Sequence, residues 1–112
     1  MELYELINYI DDYLRVNEIS DVSINGLQIE GKKDVKKICL GVDSSLEIFK
    51  EASKRKADII LVHHGLIWGG LKNIRGLVKE RISYLLEKDI SLYAAHLPLD
   101  MHPEIGNNIE LV

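Results

Sequence analysis

One cysteine, Cys39, stands in the 112 residues, so no intrachain disulfide can form and a reducing, intracellular setting is expected. Lying inside a strand-like run, that thiol reads as a small buried apolar side chain. No apolar stretch approaches the ~20 residues that a membrane-spanning helix needs. The start, Met1-Glu2-Leu3-Tyr4-Glu5, is acidic and lacks the basic opening of a signal peptide. The expectation is a cytoplasmic protein with no membrane partner. Positive charge is also short: 14 Lys and Arg stand against 18 Asp and Glu, a net charge of −4, which gives no general attraction for nucleic acid or anionic lipid. Eight of the 14 basic residues fall between Lys32 and Lys56, so a local basic face stays open, though a solvated surface is the commoner meaning of such a run. Aromatics are few and scattered (five Tyr, one Trp, one Phe), too few for a single-strand nucleic-acid track. Tyr93 and Trp68 read as packing groups. Gly26 and Gly69-Gly70 form no phosphate-loop pattern, and no serine sits in a nucleophile-elbow context.

What is present suits a globular domain. Hydrophobic residues make up 46% and charged residues 29%, and a chain of this size buries about two-thirds of its unfolded surface. Leu3, Leu6, Ile7, Ile10 and Leu14 share one helical face, which predicts an amphipathic helix over 2–15. Gly26 to Gly31 alternates apolar and polar as a short half-buried strand, and Val35 to Val42 predicts a second strand ending at Asp43. Ser44-Ser45-Leu46-Glu47 has the form of a capping box with Ser44 as N-cap, followed by a helix from Ser45 to about Lys56. Asp58 to Val62 is a continuous apolar run, as in a strand covered on both faces. Ile74, Leu77, Val78, Ile82, Leu85 and Leu86 stand at helical spacing over 73–87, with Gly76 weakening the start. Ile90 to Ala95 is the last strand, and Pro98 beyond it argues against a helix interior. The fold class is α/β: a mixed, largely parallel sheet of about four strands flanked by helices, in one domain spanning 1–112. Pro103 to Val112 reads like the opening of a further helix without a C-cap signal, so the chain is expected to be a fragment of a longer protein, or a domain that normally continues.

In a parallel α/β sheet, ligand sites form at the carboxyl edge of the strands. Three predicted strands end there in residues able to hold a metal: Asp43 after one, the adjacent pair His63-His64 after the next, and His96 with Asp100 after the last. Parallel neighbours lie about 4.8 Å apart, which brings such strand ends within reach of one ion. Imidazole and carboxylate together suit Zn, Mn or Fe, and two such ions about 3.5–4 Å apart activate a bridging water and clamp a substrate oxygen. In regular strand His63 and His64 point to opposite faces, so the backbone must turn at the strand end for both to serve. A lone strand-end histidine is more often a hydrogen-bonded structural residue, and His102 fits that description or simple exposure. Asp43, with Ser44 and Ser45, either lines the site or only supports and caps it.

Four segments carry a resemblance. Asn25-Gly26-Leu27-Gln28-Ile29-Glu30-Gly31, Gly41-Val42-Asp43-Ser44-Ser45, Ala57-Asp58-Ile59-Ile60-Leu61-Val62-His63-His64-Gly65-Leu66-Ile67 and Tyr93-Ala94-Ala95-His96-Leu97-Pro98-Leu99-Asp100 are similar, in order and spacing, to the motifs of the NIF-three-like family, also called GTP cyclohydrolase 1 type 2 homologues. The resemblance implies a di-metal centre with His63, His64 and Asp100 among its ligands, and His96 beside the metals, binding them or the substrate. It implies a metal-dependent hydrolase that opens the ring of GTP by attack at C8 with His96 shuttling protons, a purine nucleotide as small-molecule substrate, and toroidal homo-hexamers with the metal sites facing an internal cavity. Family chains carry a further His and Glu near the C-terminus that complete the site, and nothing in this sequence matches them. The resemblance therefore implies the N-terminal half of a longer family protein, with a half-site that holds one ion weakly or none and is inactive alone. The competing expectation is a non-enzymatic, oligomeric metal-binding protein that touches nucleic acid or a transcription-related partner, with the Lys32–Lys56 cluster as its only support.

Overall fold

The computed structural model describes residues 1–18, 24–67, 73–96 and Pro98. Trp68, Gly69-Gly70, Asp100, His102 and the expected helix opening at 103–112 lie outside the described residues. The elements run α1 (Leu3–Leu14), β1 (Gly26–Ile29), β2 (Ile38–Asp43), α2 (Leu46–Lys54), β3 (Ile59–His64), α3 (Gly76–Lys88) and β4 (Ser91–Ala94). The strands form one sheet in the order β1-β4-β3-β2, with β2, β3 and β4 mutually parallel and β1 antiparallel to β4. This is the mixed, largely parallel α/β sheet that the strand–helix alternation predicts.

The layers follow from alternation. Ile60 and Val62 of β3 and Leu92 and Ala94 of β4 face α2 and α3, packing on Phe49, Ala52, Ile82 and Leu85. Ile59 and Tyr93 point the other way, onto Leu3, Ile7 and Leu14 of α1. The crossovers β2–α2–β3 and β3–α3–β4 step along the sheet in one direction, so crossovers of one hand put both helices on the same face. Cys39 packs, partly buried, against the first of these cores. Among the described residues no helix is long and apolar enough to cross a membrane.

Several boundaries differ from those predicted, three of them for reasons the contacts make plain. The second strand begins at Ile38, not Val35, because the Lys36 and Lys37 amides donate to the Asp58 carboxylate (2.8 and 3.0 Å), while Val35 bonds back to Met1 and packs under α1. The N-cap of α2 is Ser45, whose hydroxyl accepts from the Ile48 amide at 3.2 Å; Ser44 instead donates to the carbonyl of His64 at 2.7 Å. The third helix starts at Gly76, whose φ of +62° only glycine adopts without strain. It buries Ile82 and Leu85 but leaves Leu77 and Leu86 exposed, and Ile74, predicted within the helix, lies before it and is also exposed.

Candidate functional site

β3 carries both His63 and His64 within the strand, extending past the predicted end at Val62. In an undistorted strand consecutive side chains diverge to opposite faces. Here the two rings lie 4.5 Å apart, centre to centre, so both lean over the strand end instead. His96 follows β4, the parallel neighbour of β3, and its ring lies 4.7 Å from that of His63 and 5.4 Å from that of His64. One potential ligand nitrogen from each of the three lies within 4.8 Å of the others, and all three side chains are half-buried. A tetrahedral ion bonded to imidazole nitrogens sets them about 3.3 Å apart. Modest side-chain rotation closes that difference, so the donor set fits a divalent metal.

His64 is held from two sides. Asp43 is its register partner across β2 and β3, and Asp43 Oδ1 lies 2.8 Å from His64 Nδ1. The Ser44 hydroxyl fixes its carbonyl. A carboxylate on Nδ1 makes Nε2 the nitrogen offered to a metal. Asp43, left open between lining and support by the sequence, thus sits where it orients an imidazole. His63 and His64 come together with His96 as expected at the carboxyl edge; Asp100 falls outside the described residues.

The ground beneath the cluster is polar-poor. A cleft of about 490 Å³ opens beside His63, with Tyr9, Tyr13, Leu40, Val42, Leu61 and Tyr93 among its walls. Tyr93 is buried, and its hydroxyl donates to Asp11 Oδ1 at 2.6 Å; burial, then the bond to the anionic Asp11, raises its pKa well above the ordinary phenol value. At the opposite sheet edge, burial pushes the Asp58 carboxyl up, but the Lys36 and Lys37 amides and the Lys32 ammonium outweigh it, and the net shift is downward.

A family model described as Duf34/NIF3 (NGG1p interacting factor 3) matches residues 1–112, the whole chain. The chain belongs to the Duf34/NIF3 family. Among curated members it is similar to the GTP cyclohydrolase 1 type 2 homolog of Archaeoglobus fulgidus, 56% identical over 108 residues that cover 96% of this chain and 44% of the relative. It is also similar to that of Pyrococcus abyssi, 45% identical over 112 residues, covering 100% and 45%. The chain thus spans less than half the length of these relatives. Among solved structures, a protein from Thermus thermophilus superposes with a TM-score of 0.94 at 47% identity, covering 99% of this chain and 46% of the other. Reduced HcgD from Methanocaldococcus jannaschii superposes with 0.86 at 31% identity, covering 99% and 45%.

Asn25 and Gln28, which entered above only as part of a resembling segment with no role, are tied by the fold to the histidines. Asn25 Oδ1 accepts from the backbone amide of His96 at 2.8 Å, and the Gln28 amide bonds the segment just after His64. The signal was the Asn-Gly-Leu-Gln segment itself, whose partners lie 71 and 38 residues away and cannot be read from local pattern.

Proposed function

We propose that this chain supplies the N-terminal ligands of a divalent-metal centre in a hydrolase resembling GTP cyclohydrolase. His63 and His64, with Asp100, hold the metal (Zn, Mn or Fe, two ions in the complete site), and His96 stands beside it as the proton-transferring group. The observation that carries this reading is the convergence of three imidazoles from two parallel strands, with ligand nitrogens within 4.8 Å. A bound ion supplies Lewis acidity and an acidified water at neutral pH. The chain's own part is to fix the geometry: Asp43 orients His64, and His96 is placed to accept and return a proton at the substrate's reacting atom. The cleft beside His63 has room for a small molecule, and the name shared by the relatives supports a purine nucleotide. The complete protein is read as a homo-hexamer on the family resemblance, and as cytoplasmic on the single cysteine.

The competing nucleic-acid reading gains nothing from the structure. Within the basic segment Lys32 pairs with Asp58 (3.5 Å), Lys36 with Asp34 (3.8 Å) and Arg55 with Glu51 (2.9 Å), so its charge is partly neutralised in place.

Titration with Co²⁺, followed by elemental analysis, tests the metal reading. Weak binding of one ion is expected in this chain, lost in the double variant His63→Ala, His64→Ala; equal binding by that variant sinks the reading. The catalytic part is tested on the full-length protein loaded with Zn, Mn or Fe. No formate from GTP and no hydrolysis of related compounds would overturn it.

A further inference from the structure

We propose that Asn25 and Gln28, flanking the start of β1, are positioning residues that set the separation of the two histidine-bearing segments. The inference rests on the metal-centre reading above and assigns the Asn25-Gly26-Leu27-Gln28 segment its role there.

The three histidines come from two places, the end of β3 and the exit of β4. Their spacing depends on how those ends are held against each other. Asn25 fixes one: its side-chain oxygen takes the His96 amide at 2.8 Å. Gln28 fixes the other. Its Oε1 accepts from the amides of Leu66 (2.8 Å) and Ile67 (3.2 Å), and its Nε2 donates to the carbonyls of Ile24 (2.7 Å) and Ile67 (3.2 Å). A glutamine amide has two N–H donors and two acceptor positions. All four are used here, three of them on the turn of backbone just beyond His64.

Topology makes this more than local tidying. β1 and β3 are not neighbours; β4 lies between them. The Gln28 side chain, at the register shift of β1 opposite Tyr93 and Leu92, therefore reaches across β4 beside Ala94 to hold the segment leaving β3. Gly65 is what lets it through. A Cβ at position 65 would stand 2.5 Å from both Nε2 and Oε1 of Gln28 and 2.7 Å from Cβ of Ala94, too close for any side chain. With Gly26 between them at φ +104°, Asn25 and Gln28 thus tie both histidine segments to one short strand.

The test has two arms on the chain itself. In the metal-free chain, Gln28→Leu is expected to speed hydrogen exchange of the Leu66 and Ile67 amides, and Asn25→Ala that of His96, with the Leu92 amide in the sheet centre unchanged. Unchanged exchange at those three amides overturns the inference. In the Co²⁺ titration, Gln28→Leu and Asn25→Ala should each weaken binding by about tenfold or more, the usual effect of losing a group that orients ligands. Asn25→Asp keeps the acceptor for the His96 amide and should restore binding to within about threefold of the parent, on the same scale. Ile82→Val, which loosens the far core without touching the site, serves as a stability control. Loss of Co²⁺ affinity equal to that of Gln28→Leu in this control overturns the positioning role. If the parent chain binds no Co²⁺, as a half-site allows, the affinity arm is read on the full-length protein, and unchanged exchange at the three amides still overturns the inference.

Discussion

Asp43 and His64 illustrate how little stability a contact in the proposed metal centre needs to carry. Their side chains are 68% and 43% exposed, so the 2.8 Å pair contributes at most about 1 kcal/mol to folding. Its value lies in fixing which imidazole nitrogen is offered. Asp43→Asn is therefore expected to shift the unfolding free energy by less than about 1 kcal/mol while weakening Co²⁺ binding by about tenfold, measured by urea unfolding beside metal titration. Tyr93 is the converse case, a buried phenol serving the fold. Its pKa is raised in the folded state, so the unfolded chain loses its phenolic proton first, near pH ~10. Stability is full below that pH and falls as pH rises beyond it. Tyrosinate absorbance should show Tyr93 untitrated until the alkaline unfolding transition, and Tyr93→Phe should remove that late phase. Asp58 has the opposite sign. Its lowered folded pKa contributes stability above the unfolded value of ~3.9, lost as pH falls through the folded pKa. Asp58→Ala, which strands the Lys36 and Lys37 amides, should cost about 1.5–3 kcal/mol at neutral pH and flatten the acid limb of the stability curve.

Among the elements, α1 and the β3 run were legible because their periodicities are unambiguous: an apolar stripe at 3.6 residues in one, an unbroken buried run in the other. α3 was legible as a helix but not in its facing. Leu77 and Leu86 share its spacing with Ile82 and Leu85, and only packing against α2 and the sheet decides which apolar residues go inside. The cap of α2 was off by one residue because adjacent serines satisfy the same pattern; which one caps depends on Ser44 being drawn to the carbonyl of His64, a contact made through tertiary structure. Ser45→Ala should therefore cost about 1 kcal/mol in thermal unfolding with Co²⁺ binding unchanged, separating the cap from the residue beside it. Of the site, the adjacent histidines and His96 could be read from strand ends and the parallel-sheet rule. Asn25 and Gln28 could not, since a hydrogen bond spanning 71 residues leaves no periodic trace.

At the scale of the whole molecule, the sheet is unevenly covered. Ile38, Leu40 and Val42 of the edge strand β2 are 45%, 80% and 62% exposed, on the same side as α1, which shields only the β3 and β4 portion of that face. Because these side chains bury little here, Leu40→Ser should change the stability of this chain by no more than about 0.5 kcal/mol, as read by urea unfolding. The sheet order has a kinetic meaning as well. β1 has no partner among the strands that precede β4; Gly26 finds its pairing only at Ala94. Closure of that long span is the slowest kind of contact to form. During synthesis the first strand must wait until β4 has emerged, and the step that seats it also delivers the Asn25 contact to His96. The histidine cluster cannot be finished early: its geometry and the final closure of the sheet are one folding event.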